Sequence, residues 1–108
     1  MNKFLIVMAM LVSTQAFAWT GTDLTVDYID VKSSGHASVY FKVLADAPNP
    51  AGCSQTGTAS WEGSNPSGSN FLSTFLAAKM AGSTVQIIID SEACLWGGWP
   101  KLLTVRVK

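Results

Sequence analysis

Two cysteines, Cys53 and Cys94, set the strongest constraint on how this chain folds. They lie far apart and form no CxxC motif, which argues against a metal or redox pair. In an oxidising compartment, an even pair of cysteines forms a disulfide. That bond would close a loop of about 40 residues, worth roughly 4 kcal/mol in the chain-entropy treatment. We therefore predict one structural disulfide, on the condition that the chain is exported.

The first residues predict that export. A short positive start, "MNK", precedes the apolar run "FLIVMAMLV", and Ala16, Phe17 and Ala18 form a small-x-small cleavage pattern. The run is shorter than the roughly 20 residues that a membrane-spanning helix needs. We predict a signal peptide over 1–18, cleaved after Ala18, and a single soluble domain over 19–108, secreted or periplasmic and without a membrane span. A buried N-terminal helix or an uncleaved anchor is the alternative.

Charge and motif content argue against nucleic-acid binding and against catalysis. Seven acidic residues balance seven basic ones, whereas a nucleic-acid binder usually carries a basic excess on one face. His36, the only histidine, falls in a predicted turn, and a general base needs a partner and a pocket. Asp90 and Glu92 would be glycosidase-like carboxylates, calcium ligands, or simply a polar loop. We predict a protein that is not an enzyme and has no metal or cofactor.

The spacing of apolar residues predicts five strands and one helix. The strands are predicted over 23–31, 37–45, 53–61, 84–90 and 102–108. The first should bulge near Tyr28, because the alternation changes phase there. The helix is predicted over 70–82, between strands three and four, with Ser69 as N-cap and Gly82 as C-cap, and with an earlier start at Asn65-Pro66 as the alternative. This order predicts a mainly β fold with one helix, a five-stranded OB-like Greek-key barrel, with an open α+β sheet as the competitor.

The same spacing predicts which side chains face the core. One side of the helix and one face of each strand should be apolar. The expected core residues are Leu24, Val26 and Tyr28 in the first strand, Val39, Phe41 and Val43 in the second, Phe71, Leu72, Phe75, Leu76 and Met80 in the helix, Val85, Ile87 and Ile89 in the fourth strand, and Leu103, Val105 and Val107 in the fifth.

Several short segments recur in the order found in a known family. They are "WTG" at Trp19, "VYF" in the second strand, "CS" at Cys53, Trp61, "AGSTVQI" at the end of the helix, and a later Trp and Pro. Over most of 19–108 the chain resembles the B subunits of subtilase cytotoxin and of the typhoid-toxin type. The resemblance implies a secreted bacterial OB fold, assembly into a five-membered ring, a glycan ligand that is commonly sialylated, and a separate catalytic A subunit.

The chain departs from that family at three points. It lacks the longer polar segment after "WTG" and the sugar-contacting serine that this segment carries. Ile89 stands where a tyrosine is expected, and Lys42 stands where a hairpin cysteine is expected. The missing cysteine is consistent with pairing between Cys53 and Cys94. The resemblance is therefore expected to extend to the fold, without the sugar site of the family.

The tryptophans are the strongest functional signal. Sugar rings present flat C–H faces that stack on indole, and indole adds an N–H donor. The alternative is that the indoles cover the open ends of a small core. In "CLWGGWPK" we predict that Trp96 packs near the disulfide and that Trp99 is held outward as a rigid platform, whereas Trp61 is buried. The candidate ligand-binding residues are Trp99, Trp96, Trp61 and Trp19.

The outer side of the predicted helix is small and uncharged, although a solvated helix face usually carries charge. We predict a homo-oligomer contact there, a pentamer by the resemblance, with an ordinary small polar face as the alternative. The contact residues would be Ser73, Thr74, Ala77 and Ala81. Together these features predict a secreted, non-catalytic carbohydrate-binding protein similar to a toxin B subunit. The alternative is a small periplasmic structural or interaction protein with an OB-like fold and no glycan site.

Overall fold

A computed structural model of the protein describes residues 22–108. The predicted signal peptide over 1–18 and Trp19 lie outside the described residues. A short 3-10 helix, Leu44–Asp46, follows the second strand. The main elements, in chain order, are β1 (Val26–Val31), β2 (Ala37–Phe41), β3 (Thr58–Trp61), α1 (Gly68–Ala81), β4 (Val85–Leu95) and β5 (Trp99–Val107).

The strands form one mixed sheet in the order β1-β2-β3-β5-β4. Only β3 and β5 pair in parallel, and the other neighbours are antiparallel. Within residues 22–108, a mainly β fold with one α-helix is therefore confirmed.

The predicted closed barrel is not what the sheet forms, because β1 and β4 remain its two open edges. Leu24, just before β1, makes two backbone hydrogen bonds of 2.8 Å with Val85, the first residue of β4. Within residues 22–108, this is the one isolated bridge between these edges. The β1 bulge follows this pair directly, and bulges bend strands and interrupt the ladder.

The predicted bulge in β1 is confirmed. Val26 pairs with Phe41 and Tyr28 with Tyr40, so Asp27 is the extra residue on β1. Such a slip exchanges the two faces of a strand. Val26 is buried and Ile29 is half-buried, whereas Tyr28 is 46% exposed. The prediction that Tyr28 shares the core face of Leu24 and Val26 is therefore wrong, and the tyrosine points away from the core.

Helix α1 packs on the sheet through a narrower stripe than predicted. Phe75 is fully buried, stacks on Trp61 with ring centroids 5.8 Å apart, and meets Phe41 edge-on at 6.3 Å. Leu76 and Met80 are 42% and 87% exposed, so the prediction that they face the core is wrong. The small Ala78, one turn after Phe75, is the other buried residue of the helix. The remaining part of the predicted apolar side, Leu76 and Met80, faces outward.

The helix ends as predicted and begins slightly earlier. Gly82 takes a left-handed φ of +69° as C-cap, which glycine adopts without steric cost. Ser67, rather than the predicted Ser69, is the N-cap residue, and its side chain makes no capping hydrogen bond.

Besides Tyr28, three further predicted core positions in the strands are wrong, each because a strand ends or bulges. Val43 is 57% exposed, since β2 ends at Phe41 and the 3-10 helix follows. In β5, Thr104 pairs with Ile88 and Leu102 with Ile89, so the intervening Leu103 is bulged. Leu102 is therefore buried in place of Leu103. Val107, at the end of β5, is 43% exposed.

Candidate functional site

The Cys53–Cys94 disulfide is present, with the two Cα atoms 5.8 Å apart. It joins the segment before β3 to the last residues of β4. Next to the disulfide, the Gln55 N–H donates a 2.8 Å hydrogen bond to the Gly98 carbonyl. A Cβ on Gly98 would overlap with the hydroxyl of Ser54. The predicted disulfide is thus confirmed. Beside it, the β4–β5 turn packs closely against the backbone of residues 54–55.

The β4–β5 turn holds a tryptophan in an unfavourable backbone conformation. Trp96 has φ +49° and Gly97 has φ +80°, and the Gly98 N–H donates to the Leu95 carbonyl at 2.9 Å. Positive φ at both central positions is the type I′ pattern, which favours Asn-Gly. A bulky residue there costs about 1–3 kcal/mol and persists only where the surroundings impose it. This strain marks Trp96 as a functional candidate.

Five side chains form a continuous row of rings, called here the aromatic row. Tyr28 stacks on Tyr40 with centroids 4.4 Å apart. Tyr40 meets Trp99 edge-on at 6.2 Å, and Trp99 meets Trp96 edge-on at 6.3 Å. Trp96 then lies 4.6 Å from the imidazole of His36. The row therefore crosses from β1 over β2 to β5 and ends between the β1–β2 and β4–β5 turns.

The aromatic row lies on the face of the sheet away from α1. Val39 and Phe41 are buried in the core, so the alternating Ser38 and Tyr40 point to the other face. Ser38 is nevertheless only 4% exposed, and its hydroxyl lies 2.7 Å from that of the fully buried Ser60. His36 and Tyr40 flank Ser38 along the strand, and Trp96 and Trp99 connect them. The rings of the row thus lie around a pair of buried hydroxyl groups, those of Ser38 and Ser60.

His36 is positioned by a hydrogen bond. Its Nδ1 accepts the backbone N–H of Gly63 at 2.9 Å, so Nδ1 carries no proton in this arrangement. Gly63 lies against the β1–β2 turn, where a Cβ would overlap with the Ser34 carbonyl. His36 therefore lies in a turn, as predicted, but the residue is half-buried and its ring lies 4.6 Å from that of Trp96.

The structure reverses the expected roles of the two turn tryptophans. Trp96 is 41% exposed, whereas Trp99 is half-buried between Tyr40 and Trp96. The reason is that Trp99 starts β5 and pairs with Leu95, whereas Trp96 occupies the tip of the turn. Trp61, as expected, is buried at 2% exposure. Its ring belongs to the core and offers no face for stacking.

Charged groups of both signs surround the aromatic row. Asp30 pairs with Ser38 across β1 and β2, and Lys101 pairs with Ser60 across β3 and β5. These four residues form a polar line across four strands with opposite charges at its ends. Burial raises the pKa of the Tyr40 phenol, and Tyr28 and Asp30 raise that pKa further.

One groove lies beside the row, and a second lies near the β4–β5 turn. The first, of about 370 Å³, opens at the tyrosine end of the row and is lined by Asp27, Tyr28, Tyr40, Phe41, Lys42, Leu44 and Thr56. The other, of about 300 Å³, lies behind the β4–β5 turn and is lined by Trp61, Glu62, Ser64, Asn65, Pro66, Leu95 and Lys101.

Asp90 supports the backbone of β4. Its carboxylate accepts the N–H groups of Glu92 and Ala93 at 2.8 and 3.1 Å, and these bonds lower its pKa. Residues 90–93 form a second irregularity in the pairing of β4 with β5. Ile89 pairs with Leu102 and Cys94 with Pro100, so four residues of β4 lie opposite a single residue of β5. Across residues 22–108, no group of three or more His, Cys, Asp or Glu side chains is placed to hold a metal ion.

The predicted oligomer residues lie together on the outward side of α1. Ser73, Ala77 and Ala81 are exposed, and Thr74 is half-buried with its hydroxyl donating to the Asn70 carbonyl at 2.7 Å. The exposed Leu76 and Met80 adjoin them and make this side more apolar than predicted. In the part of the chain that the structure describes, no helix is long and apolar enough to cross a membrane.

Tyr28, Tyr40 and His36 were not among the candidate ligand contacts predicted from the sequence. The signal for Tyr40 was its position between Val39 and Phe41, which places it on the outer face by alternation.

Comparison with family models, with curated proteins and with solved structures finds no match to this chain. The resemblance to toxin B subunits therefore stays a prediction.

Proposed function

We propose that this protein is a non-catalytic carbohydrate-binding protein that stacks sugar rings on the aromatic row. One observation carries the proposal: five rings are contiguous on the outer face of the sheet, and the exposed Trp96 is held there at positive φ. A hydrophobic core needs no indole in a strained turn at the surface. Strained residues cluster at functional sites, and an exposed indole is a suitable platform for a sugar.

The strand order supports an OB-like topology for this proposal. In OB folds, the face of strands two and three, together with the loops between strands one and two and between four and five, binds oligosaccharides and oligonucleotides. Here Tyr40 lies on β2, His36 in the β1–β2 turn and Trp96 in the β4–β5 turn. The aromatic row thus lies at the surface where such a ligand would bind.

The charge around the row favours carbohydrate over single-stranded nucleic acid. Nucleic-acid platforms combine stacking rings with a positively charged groove that follows the phosphates. Asp27 and Lys42 share the groove beside this row, and Glu62 and Lys101 share the groove near the β4–β5 turn. The basic groups are matched by acidic ones, so the surface offers rings and hydroxyl partners without a continuous positive track.

Trp96→Asn is expected to weaken glycan binding by about tenfold or more while the fold remains intact. Loss of the indole removes a stacking contact, and about 1.4 kcal/mol corresponds to a factor of ten in affinity. Asn tolerates positive φ, so the turn keeps its backbone. A glycan array identifies bound sugars, and calorimetric titration then compares the wild-type protein with the variant.

Val107→Ala is the matched control, since Val107 is exposed at the end of β5 and lies outside both the row and the proposed contact on α1. It should bind like the wild-type protein. Unchanged affinity in Trp96→Asn, with a bound glycan in hand, would contradict the proposed site.

The outward side of α1 favours a second role, self-association. Ala77 and Ala81 are small enough for close approach, and Leu76 and Met80 supply exposed apolar surface. By the resemblance, the assembly would be a pentamer that carries a separate A subunit, secreted or held in the periplasm. If the aromatic row binds no glycan, a small structural or interaction protein is the remaining interpretation.

Ala77→Arg is expected to dissociate the oligomer and to leave a folded monomer. A charged side chain at the centre of a small-residue contact introduces both overlap and an unpaired charge. Light scattering coupled to size exclusion gives the mass, and circular dichroism checks the fold. Ser91→Arg, a charge added at the exposed irregularity of β4, is the control and should not change the mass. A monomeric wild-type protein at high concentration would overturn the self-association proposal.

A further inference from the structure

We infer that the aromatic row selects neutral, extended oligosaccharides and discriminates against acidic ones such as sialylated or sulfated glycans. The inference rests on the proposed function and specifies its ligand class. It follows from two features of the row: the placement of charge beside it, and the separation of its two most exposed rings.

The row has no cation suited to hold an acidic sugar. Carboxylates and sulfates are best bound by the planar guanidinium fork of arginine. The single arginine of the sequence, Arg106, lies near the end of β5 and donates to the Gln86 side chain on β4. Gln86 is buried and in turn donates to Asp23. The guanidinium therefore belongs to a hydrogen-bonded chain at the β4 edge of the sheet, away from the rings.

The lysines of the two grooves are accompanied by carboxylates. Lys42 shares the groove at the tyrosine end with Asp27, and Lys101 shares the groove behind the turn with Glu62. An anionic sugar entering either groove would meet an acidic side chain as well as the lysine. The repulsion from the carboxylate offsets the attraction to lysine, and both are screened at an exposed surface, so neither groove gives an acidic sugar a net electrostatic gain.

Asp30 adds a negative charge beside the tyrosine end of the row. It lies on the outer face of β1, opposite Ser38 and two residues from Tyr28. Its effect reaches the rings, because it contributes to the raised pKa of Tyr40. A carboxylate is also a good acceptor for sugar hydroxyl groups. Asp30 thus favours a neutral polyhydroxyl ligand and disfavours an acidic one at the same point.

The exposed rings imply an extended ligand. Tyr28 and Trp96 are 46% and 41% exposed, whereas Tyr40 and Trp99 between them are half-buried. Three successive ring steps, of 4.4, 6.2 and 6.3 Å, separate Tyr28 from Trp96. A single sugar ring covers one of these platforms. A chain of several units reaches both, so affinity should rise with chain length until both rings are covered.

The test is a glycan array that carries neutral oligosaccharides of increasing length together with their sialylated and sulfated counterparts. Calorimetric titration at low and high salt then follows for the best neutral binder and its acidic partner. We expect the acidic partner to bind about tenfold more weakly or worse, and the neutral glycan to bind equally at both salt concentrations. Asp30→Asn should narrow the gap between the two ligands.

Ring variants test the extended mode. Tyr28→Ala should reduce the affinity for the longer glycan by a larger factor than the affinity for the shortest binder, whereas Tyr28→Phe keeps the ring and should retain both affinities. Tighter binding of the acidic counterpart, or equal effects of Tyr28→Ala on short and long glycans, would overturn the inference. If an acidic glycan bound more tightly and its binding were lost in Trp96→Asn, the proposed function would be supported and only the inference about ligand charge would be wrong. Binding of no glycan of either class would overturn both.

Discussion

Removal of the disulfide, by Cys53→Ala together with Cys94→Ala, is expected to lower the free energy of unfolding by about 2–5 kcal/mol. The bond closes a loop with a sequence separation of 41 residues, and its loss enlarges the unfolded ensemble. It also pins the segment before β3 to the β4–β5 turn, so the double variant should weaken the hold on Trp96. Such a loss is a large share of the stability of a small domain.

Urea unfolding of the wild-type protein and the double variant measures this effect, since the double variant leaves no free thiol to form other bridges. The wild-type protein in reductant should resemble the variant. Intact mass with and without reductant should differ by the two hydrogens of one bridge. Equal unfolding midpoints, or two free thiols in protein recovered from the periplasm, would contradict the prediction.

Trp61→Ala is expected to destabilise the protein by about 3–5 kcal/mol, the range for truncating a buried large aromatic residue. Trp61 is 2% exposed and stacks on Phe75, and it also meets Phe71 edge-on at 5.5 Å. These contacts join β3 to α1, so a cavity at this position would loosen the helix. Thermal and urea unfolding measure the change.

Trp96→Asn provides the matched control for Trp61→Ala, because it removes an indole from the surface. Its loss of ring contacts with His36 and Trp99 is offset by relief of the positive-φ strain, so its stability should stay close to wild type. Similar losses of stability in the two variants would show that Trp96 is a core residue. The aromatic row would then lose its exposed platform.

Local sequence signals predicted the elements better than their burial. Gly82 marked the end of α1 because glycine adopts positive φ freely. The phase change near Tyr28 located the bulge in β1, because alternation records the faces of a strand. The bulge at Leu103 left no comparable mark, since Leu102 and Leu103 are both apolar and either one fits the core face.

The tryptophans show where local reasoning ends. The segment "CLWGGWPK" predicted a tight turn with two indoles. Trp96 and Trp99 flank the same two glycines, so the sequence does not show which of them lies in a strand. The pairing of Leu95 with Trp99 places Trp99 in the sheet and leaves Trp96 at the tip.

Within residues 22–108, the sequence by itself determined the disulfide, the five strands and the one α-helix, because these depend on cysteine number and on short-range periodicity. Only the tertiary structure decided the aromatic row. Its rings come from β1, β2, β5 and two turns, and they meet on one face because the sheet order places β2 and β5 on either side of β3. Contacts between residues far apart in the chain depend on strand order and register, which no local pattern specifies.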